Sequence, residues 1–328
     1  MSKGSDDIWD VEGIESLDTA GSLLLWEVWG KRIPQHLSCR DDQRPLFDQL
    51  QKLAELDKSL RPRFTSPLVA LGQGISEFLQ DVGRIFLLLG ELILACLYCF
   101  RNPRAIPWRE ISAIIYRAGA ESVLLLAFIG GLVGIVFAYQ MADQLRQFGM
   151  DTAIIGAVGL AFLRELGPFL TSIILVGRSG SAITAGIAAM GVTGELKALQ
   201  AFGVSPTLRV VLPKVIGLAI AMPLLVIWTD FAGILGAIYI SQTKLHVGYL
   251  MWLDRFPDAV PWSNFAIGFG KGILFGTLIS LVASYYGLRA LPNTQSLTER
   301  TTRSVVVNLT LVIAIDGAMG MTLSGVGL

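Results

Sequence analysis

Residues 122–139, SVLLLAFIGGLVGIVFAY, form a run of 18 residues without one charged side chain. A helix needs about 20 mostly apolar residues to cross the hydrocarbon core of a bilayer. Four more apolar stretches follow: 152–190, broken by Arg164-Glu165 and Arg178; 215–243, broken only by Asp230; 272–288; and 304–328, broken only by Asp316. Backbone groups in lipid have no water to bond, so such segments span as helices that satisfy themselves. Five crossing helices are expected. Composition agrees: 53% of residues are hydrophobic and 16% charged, against about 25% charged in soluble domains.

The charges concentrate at one end. Residues 1–117 hold 14 of the 26 Lys and Arg and 16 of the 26 Asp and Glu. Residues 1–60 read as a small α/β segment, with a strand in 8–14, a helix in 16–30 and an amphipathic helix in 44–56. The stretch 60–67, LRPRFTSP, is a linker, and a membrane domain is expected over 61–328. In 74–100 the charges Glu77, Asp81, Arg84 and Glu91 make one polar stripe. The apolar part, 85–100, is short and broken by Glu91, which fits a helix lying in the interface or half inserted. The N-terminal 13 residues are acidic and lack an apolar core, so no signal peptide is read there.

Arginine and lysine set the orientation. With the N-terminal region in the cytosol, the inner connections carry Arg178, Lys197, Arg209, Lys214, Arg289, Arg300 and Arg303. The outer ones carry Arg146, Lys244 and Arg255. That asymmetry obeys the positive-inside rule. Zero net charge gives no footprint for nucleic acid. Cys96 and Cys99 have CxxC spacing, but they sit in a leucine-rich run with no second pair or histidine nearby and read as apolar packing.

Between the second and third apolar stretches lies MGVTGELKALQAFGVSP, 190–206. Val192, Leu196, Leu199 and Phe202 share one helical face, and Glu195, Lys197 and Gln200 lie off it. Thr193 has the chemistry of an N-cap, and Gly203 that of a C-terminal stop. The residues allow two readings: a helix resting on the bilayer, or a coupling helix that seats in a separate motor protein. The chain carries no P-loop. The nearest approach, FGKG at 269–272, has Gly272 after Lys271 and phenylalanine at 265, so it fails the G-x-x-x-x-G-K-[ST] pattern at two places. A nucleotide that drives this chain must bind elsewhere.

Charged groups at membrane depth are costly and mark pathways or interhelical contacts. Arg164 and Glu165, adjacent and thus not facing each other on an α-helix, are expected to need separate partners. Gly167-Pro168 just after them predicts a bend. A hinge or a contact to lipid head groups are the two roles considered for this stretch. Asp230 and Asp316 are expected to be satisfied by Ser, Thr or backbone groups of neighbouring helices. No intramembrane charge cluster, and hence no ion pathway, is read from the sequence. Gly130 and Gly134 have small-xxx-small spacing, and Gly177 and Gly180 supply small residues on the second stretch. All four are expected to serve packing, with a dimer interface as one place considered for it.

Residues 164–217, from RELGP through GRSGSAITA, MGVTGELKAL and AFGVSP to LPKVIG, resemble the signature region of the MlaE family, the permease subunits of lipid-transporting ABC systems. DFAGILG (230–236), SYYGLRA (284–290) and TTRSVV (301–306), followed by Asp316, continue the similarity over roughly 68–327. VEGIESLDTAGSLLL (11–25) is similar to part of a STAS domain. The resemblance implies an α-helical integral membrane protein of five transmembrane helices plus an N-terminal interfacial helix, preceded by a small α/β STAS-like remnant over 1–60. It implies a homodimer in a bacterial inner membrane, handling membrane lipid, with two ABC ATPase subunits that carry ATP and Mg. It further implies a periplasmic partner with an MCE domain, of the MlaD kind. Residues 191–203 match the family's coupling helix. The chain departs from the family pattern at Gly186, Gly194 and Lys197, where acidic residues are usual, and at TERTT (298–302). A secondary transporter regulated by a STAS domain and a non-transporting scaffold are the other classes considered. The first needs more spans and internal repeats.

Overall fold

A computed structural model describes residues 9–11, 19–29, 34, 37–40, 43–47, 49–50, 67–291 and 294–325. The chain divides into two compact units, Met1–Phe78 and Leu79–Leu328. In the first, β1 (Trp9–Asp10) and β2 (Leu37–Ser38) pair in parallel, Trp9 opposite Leu37. Parallel neighbours require a crossover connection, and α1 (Thr19–Val28) lies within it. Val11, Trp26, Phe47 and Leu50 form a small buried cluster. The expected helix over 44–56 is helical at 44–47 and 49–50. Residues 51–56, the linker 61–66 and most of the expected strand 8–14 lie outside the described residues.

The second unit is helical: the later part of α2 (Pro67–Arg101), then α3 (Trp108–Gln147), α4 (Asp151–Val192), α5 (Glu195–Ala201), α6 (Thr207–Leu245), α7 (Tyr249–Ala259), α8 (Trp262–Leu288) and α9 (Thr294–Gly325). Among the described residues six helices are long and apolar enough to cross a membrane: Gln80–Arg101, α3, α4, α6, α8 and Gln295–Thr322. The chain is an α-helical integral membrane protein. Large apolar side chains stand exposed along these helices, Leu124, Phe128, Phe231, Tyr239 and Ile313 among them. A water-soluble monomer does not carry apolar surface on that scale.

Close packing rests on small residues. The α3–α6 pair is the tightest: a methyl group at Gly130 would lie 2.8 Å from the Thr229 carbonyl oxygen, and one at Gly134 2.8 Å from Gly233 Cα. Both glycines therefore let α3 and α6 approach closely within one chain. At Gly177 a methyl group meets nothing within 4 Å, and at Gly180 its nearest neighbour is Ile279 at 3.4 Å. Buried hydroxyls tie the bundle further. Thr184 of α4 donates or shares hydrogen bonds with the Ala283 carbonyl of α8 (3.0 Å) and Ser304 Oγ of α9 (2.9 Å). Polar side chains act as interhelical glue of this kind where water is absent.

The second apolar stretch is one continuous helical run with two π-helical turns, Phe162–Leu166 and Val176–Gly180. Each coincides with a charge that interrupts the stretch. The first of these turns ends just before Gly167-Pro168, where a bend was expected, and it widens the helix ahead of the position at which the proline removes a backbone donor.

Candidate functional site

Three polar features stand out in the second unit. The first is α5, the amphipathic element of 190–206. It is shorter than the spacing suggests, seven residues from Glu195 to Ala201. Thr193 is not its N-cap. The residue before the helix is Gly194 at φ +81°, and Thr193 closes α4 instead, its hydroxyl bonding the Met190 carbonyl (3.3 Å) and Glu195 Oε1 (3.0 Å). Only glycine visits that left-handed region without cost, so the tight turn from α4 to α5 takes Gly194 and the cap moves. Gly203, at φ +73°, ends the element as expected. Its apolar face divides. Leu196 and Leu199 pack on the core cluster that contains Ile187, Val210 and Ile279. Val192 and Phe202 are 47% and 83% exposed. Glu195 and Lys197 are exposed as well. The element is a short knob, anchored by two leucines and presenting an aromatic side chain outward.

The second feature is a charge cluster inside the bundle, at odds with the expectation that none exists. Lys271 of α8 is 0% exposed. Its Nζ lies 2.5 Å from Glu165 Oε2 of α4 and 2.8 Å from Asp316 Oδ1 of α9. Arg164 Nε lies 3.4 Å from Glu165 Oε1. The neighbours do pair, contrary to the α-helical argument, because they sit in the π-helical turn. Asp316 is satisfied by a cation rather than by Ser, Thr or backbone. The four groups sum to no net charge, and each carboxylate lowers the cost of burying the ammonium. The cluster joins α4, α8 and α9 at one point. Asp316 is 15% exposed and Glu165 39%, so the cluster has a dry side and an open side.

The remaining charges are dispersed. Arg178, in the second π-helical turn, pairs with Glu121 and donates to Ser122 Oγ at 3.0 Å, both on α3. Asp230 is 3% exposed, and its Oδ1 has no hydrogen-bond partner among the described residues. It faces Gly167, where a methyl group would run into the carboxylate. The expectation that a neighbouring helix satisfies it is not met at that oxygen.

The third feature was not singled out by residue patterns. Asp81 of α2 accepts from Tyr285 Oη (2.7 Å), Tyr286 Oη (3.0 Å) and Arg289 Nη1 (3.3 Å), and Arg303 Nη2 lies 3.6 Å away. Thr207 donates to Glu91 at 2.9 Å. Two of the four charges on the polar stripe of α2 thus find partners on α6, α8 and α9, at the end of the bundle where α5 sits. SYYGLRA and TTRSVV, noted for their resemblance, supply four of these groups.

A bundle of long apolar helices, cross-linked by a buried ion cluster and carrying a short anchored helix between two of its spans, defines a multi-helix integral membrane protein. Comparison with known proteins gives the family. Residues 111–322 match the family described as Permease MlaE. The chain is 29% identical over 260 residues to the intermembrane phospholipid transport system permease protein MlaE of Haemophilus influenzae, covering 79% of this chain and 97% of that one. It is 30% identical to a probable ABC transporter permease of Synechocystis sp., covering 72% and 88%. It is 28% identical to the chloroplastic protein TRIGALACTOSYLDIACYLGLYCEROL 1 of Arabidopsis thaliana, covering 64% and 60%. The chain belongs to the MlaE permease family.

Proposed function

We propose that this chain is the membrane subunit of an ATP-driven lipid transporter. Two copies work together in a bacterial inner membrane, five helices of each crossing it, with α2 at the interface and the N-terminal segment on the cytosolic side. ATP and Mg bind a separate ABC ATPase, and a periplasmic MCE-domain partner exchanges lipid with the pair. The observation that carries the reading is α5: Leu196 and Leu199 fix it to the core, while Val192 and Phe202 stay open at the end richer in Lys and Arg. An element held this way transmits a push from outside into α4 and α6, which flank it. The phospholipid transport named for the Haemophilus relative supports lipid as cargo, and the apolar helix surfaces suit acyl chains.

The test is co-purification of the ATPase. Phe202→Asp loses the ATPase while the chain remains folded and monodisperse in detergent. An ATPase that stays bound to this variant at wild-type stoichiometry overturns the assignment of α5. A second reading, ion-coupled transport, draws on Lys271 between two carboxylates. It predicts substrate movement that collapses with the proton gradient and persists without ATP.

A further inference from the structure

One cavity lies beside α5 and apart from the Lys271 cluster. It is an open groove of about 600 Å³ lined by the start of α3, the end of α4, α5 and the start of α6. Its walls are apolar at Ile114, Leu199, Phe202 and Val210, and three cations open into it: Arg117, Arg209 and Lys214. Arg209 is matched by Glu110, 2.9 Å away. Among the described residues no carboxylate pairs with Arg117, and the hydrogen bond of Lys214 Nζ runs to its own helix, to the Val210 carbonyl at 3.4 Å. Glu195, the other acid in the lining, is engaged with Thr193. Counting Glu110 and Glu195 against Arg117, Arg209 and Lys214, the lining carries one net positive charge, and neither Arg117 nor Lys214 forms an ion pair with a described carboxylate.

Its depth is legible from α3. Trp108 and Tyr116, on the same helix segment as Arg117, are exposed, and aromatic side chains of this kind mark the head-group level of a bilayer. The α3 face that carries Ala113 and Arg117 continues through Glu121, which pairs with Arg178, to Leu124 and Phe128, both exposed, with the spacing of one helical stripe. Cations at head-group depth, with exposed apolar side chains further along the same helix toward the membrane interior, match the two ends of one kind of molecule.

We infer that this cavity binds an acidic glycerophospholipid of the surrounding leaflet, its phosphate on Arg117 and Lys214 and an acyl chain along Leu124 and Phe128. Because Leu199 and Phe202 form one wall, the bound lipid braces α5. The lipid here is a resident ligand, not cargo, and the inference stands whether or not the chain moves lipid.

The experiment is native mass spectrometry of the full chain in the complex with which it purifies, titrated in detergent with phosphatidylglycerol or with phosphatidylcholine. The wild type retains phosphatidylglycerol with at least tenfold higher occupancy. Arg117→Gln with Lys214→Gln abolishes that preference, while Arg146→Gln, a cation at the opposite end of α3, leaves it unchanged. Unaltered thermal stability of the double variant shows that the loss is one of ligand and not of fold. If the double variant keeps the preference, if wild type holds both lipids equally, or if millimolar inorganic phosphate displaces the bound lipid, the inference is wrong. It is equally wrong if a complex with an ATPase seated on α5 shows no lipid preference, since the cavity is then covered by protein.

Discussion

Lys271→Met removes the one cation that faces both Glu165 and Asp316 and keeps most of its volume. With the ammonium gone, two carboxylates remain near one point among three helices. Breaking a buried ion pair by removing one partner costs about 3–5 kcal/mol, because the charge left behind has no compensation. The full figure applies to Asp316, at 15% exposure, and less to Glu165, which at 39% can regain water. About 3 kcal/mol is the expected loss. A unit of this size shifts its melting temperature by roughly 2–4 °C per kcal/mol, so the variant should melt about 6–12 °C below wild type in a detergent thermal-shift assay read by size exclusion. The double variant Lys271→Leu, Asp316→Leu leaves no orphaned charge, since Glu165 keeps Arg164 beside it. It should recover to within about 1 kcal/mol of wild type, as apolar replacements of buried ion clusters do. A single variant that melts within 2 °C of wild type, or a double variant no better than the single, refutes the claim that mutual neutralisation holds these helices together.

Other expectations follow from the packing. Gly134→Leu places a side chain against Gly233 and should cost about 3 kcal/mol or prevent insertion, read as loss of monodisperse protein. Gly177→Ala, with open space around it, should leave the stability of the single chain unchanged within about 0.5 kcal/mol. Asp81→Ala leaves two tyrosine hydroxyls of α8 without their acceptor, and at about 1–3 kcal/mol per orphaned buried group it should lower the melting temperature by several degrees. Tyr285→Phe with Tyr286→Phe on top of it should restore part of that. Gly194→Ala strains the φ +81° turn by about 1–2 kcal/mol and should raise amide hydrogen exchange across 195–201 while the exchange of α3 stays as it was.

The crossing segments were legible because a bilayer imposes one requirement, uninterrupted apolar length, and residues 122–139 or 215–243 display it without any knowledge of neighbours. The existence of α5 was legible for a similar reason: Leu196 and Leu199 announce a face by spacing alone. Which part of that face is buried was not. Leu196 and Leu199 turn toward Ile187 and Val210, while Val192 and Phe202 do not, and that division depends on where α4 and α6 end. The helix start was misplaced at Thr193 because its hydroxyl has capping chemistry, whereas the turn requires a left-handed residue and Gly194 is next in line. Lys271 was weighed only against the P-loop pattern and not as an intramembrane charge, because it stands just before the fourth apolar stretch, 272–288. In the fold α8 begins at Trp262, which puts the lysine well inside the helix. One signal pointed to it: a lone cation in an apolar span, and a carboxylate in each of two others, Glu165 beside Arg164 and Asp316 by itself. Charges of opposite sign that each pay to enter lipid are natural partners, and considering them jointly rather than one by one finds the cluster. Asp81 and its tyrosines illustrate a harder case, since the pairing spans more than 200 residues and no local pattern encodes it.

The central claim is that this chain gates lipid passively and acts only when a separate ATPase works on α5. Purified chain reconstituted in proteoliposomes, with labelled phospholipid and a soluble acceptor, tests it directly. Lipid should move only when the ATPase and hydrolysable ATP are both present, and should stop with Phe202→Asp. Phospholipid transfer at the same rate by the chain alone, with no ATPase in the vesicles, contradicts the account.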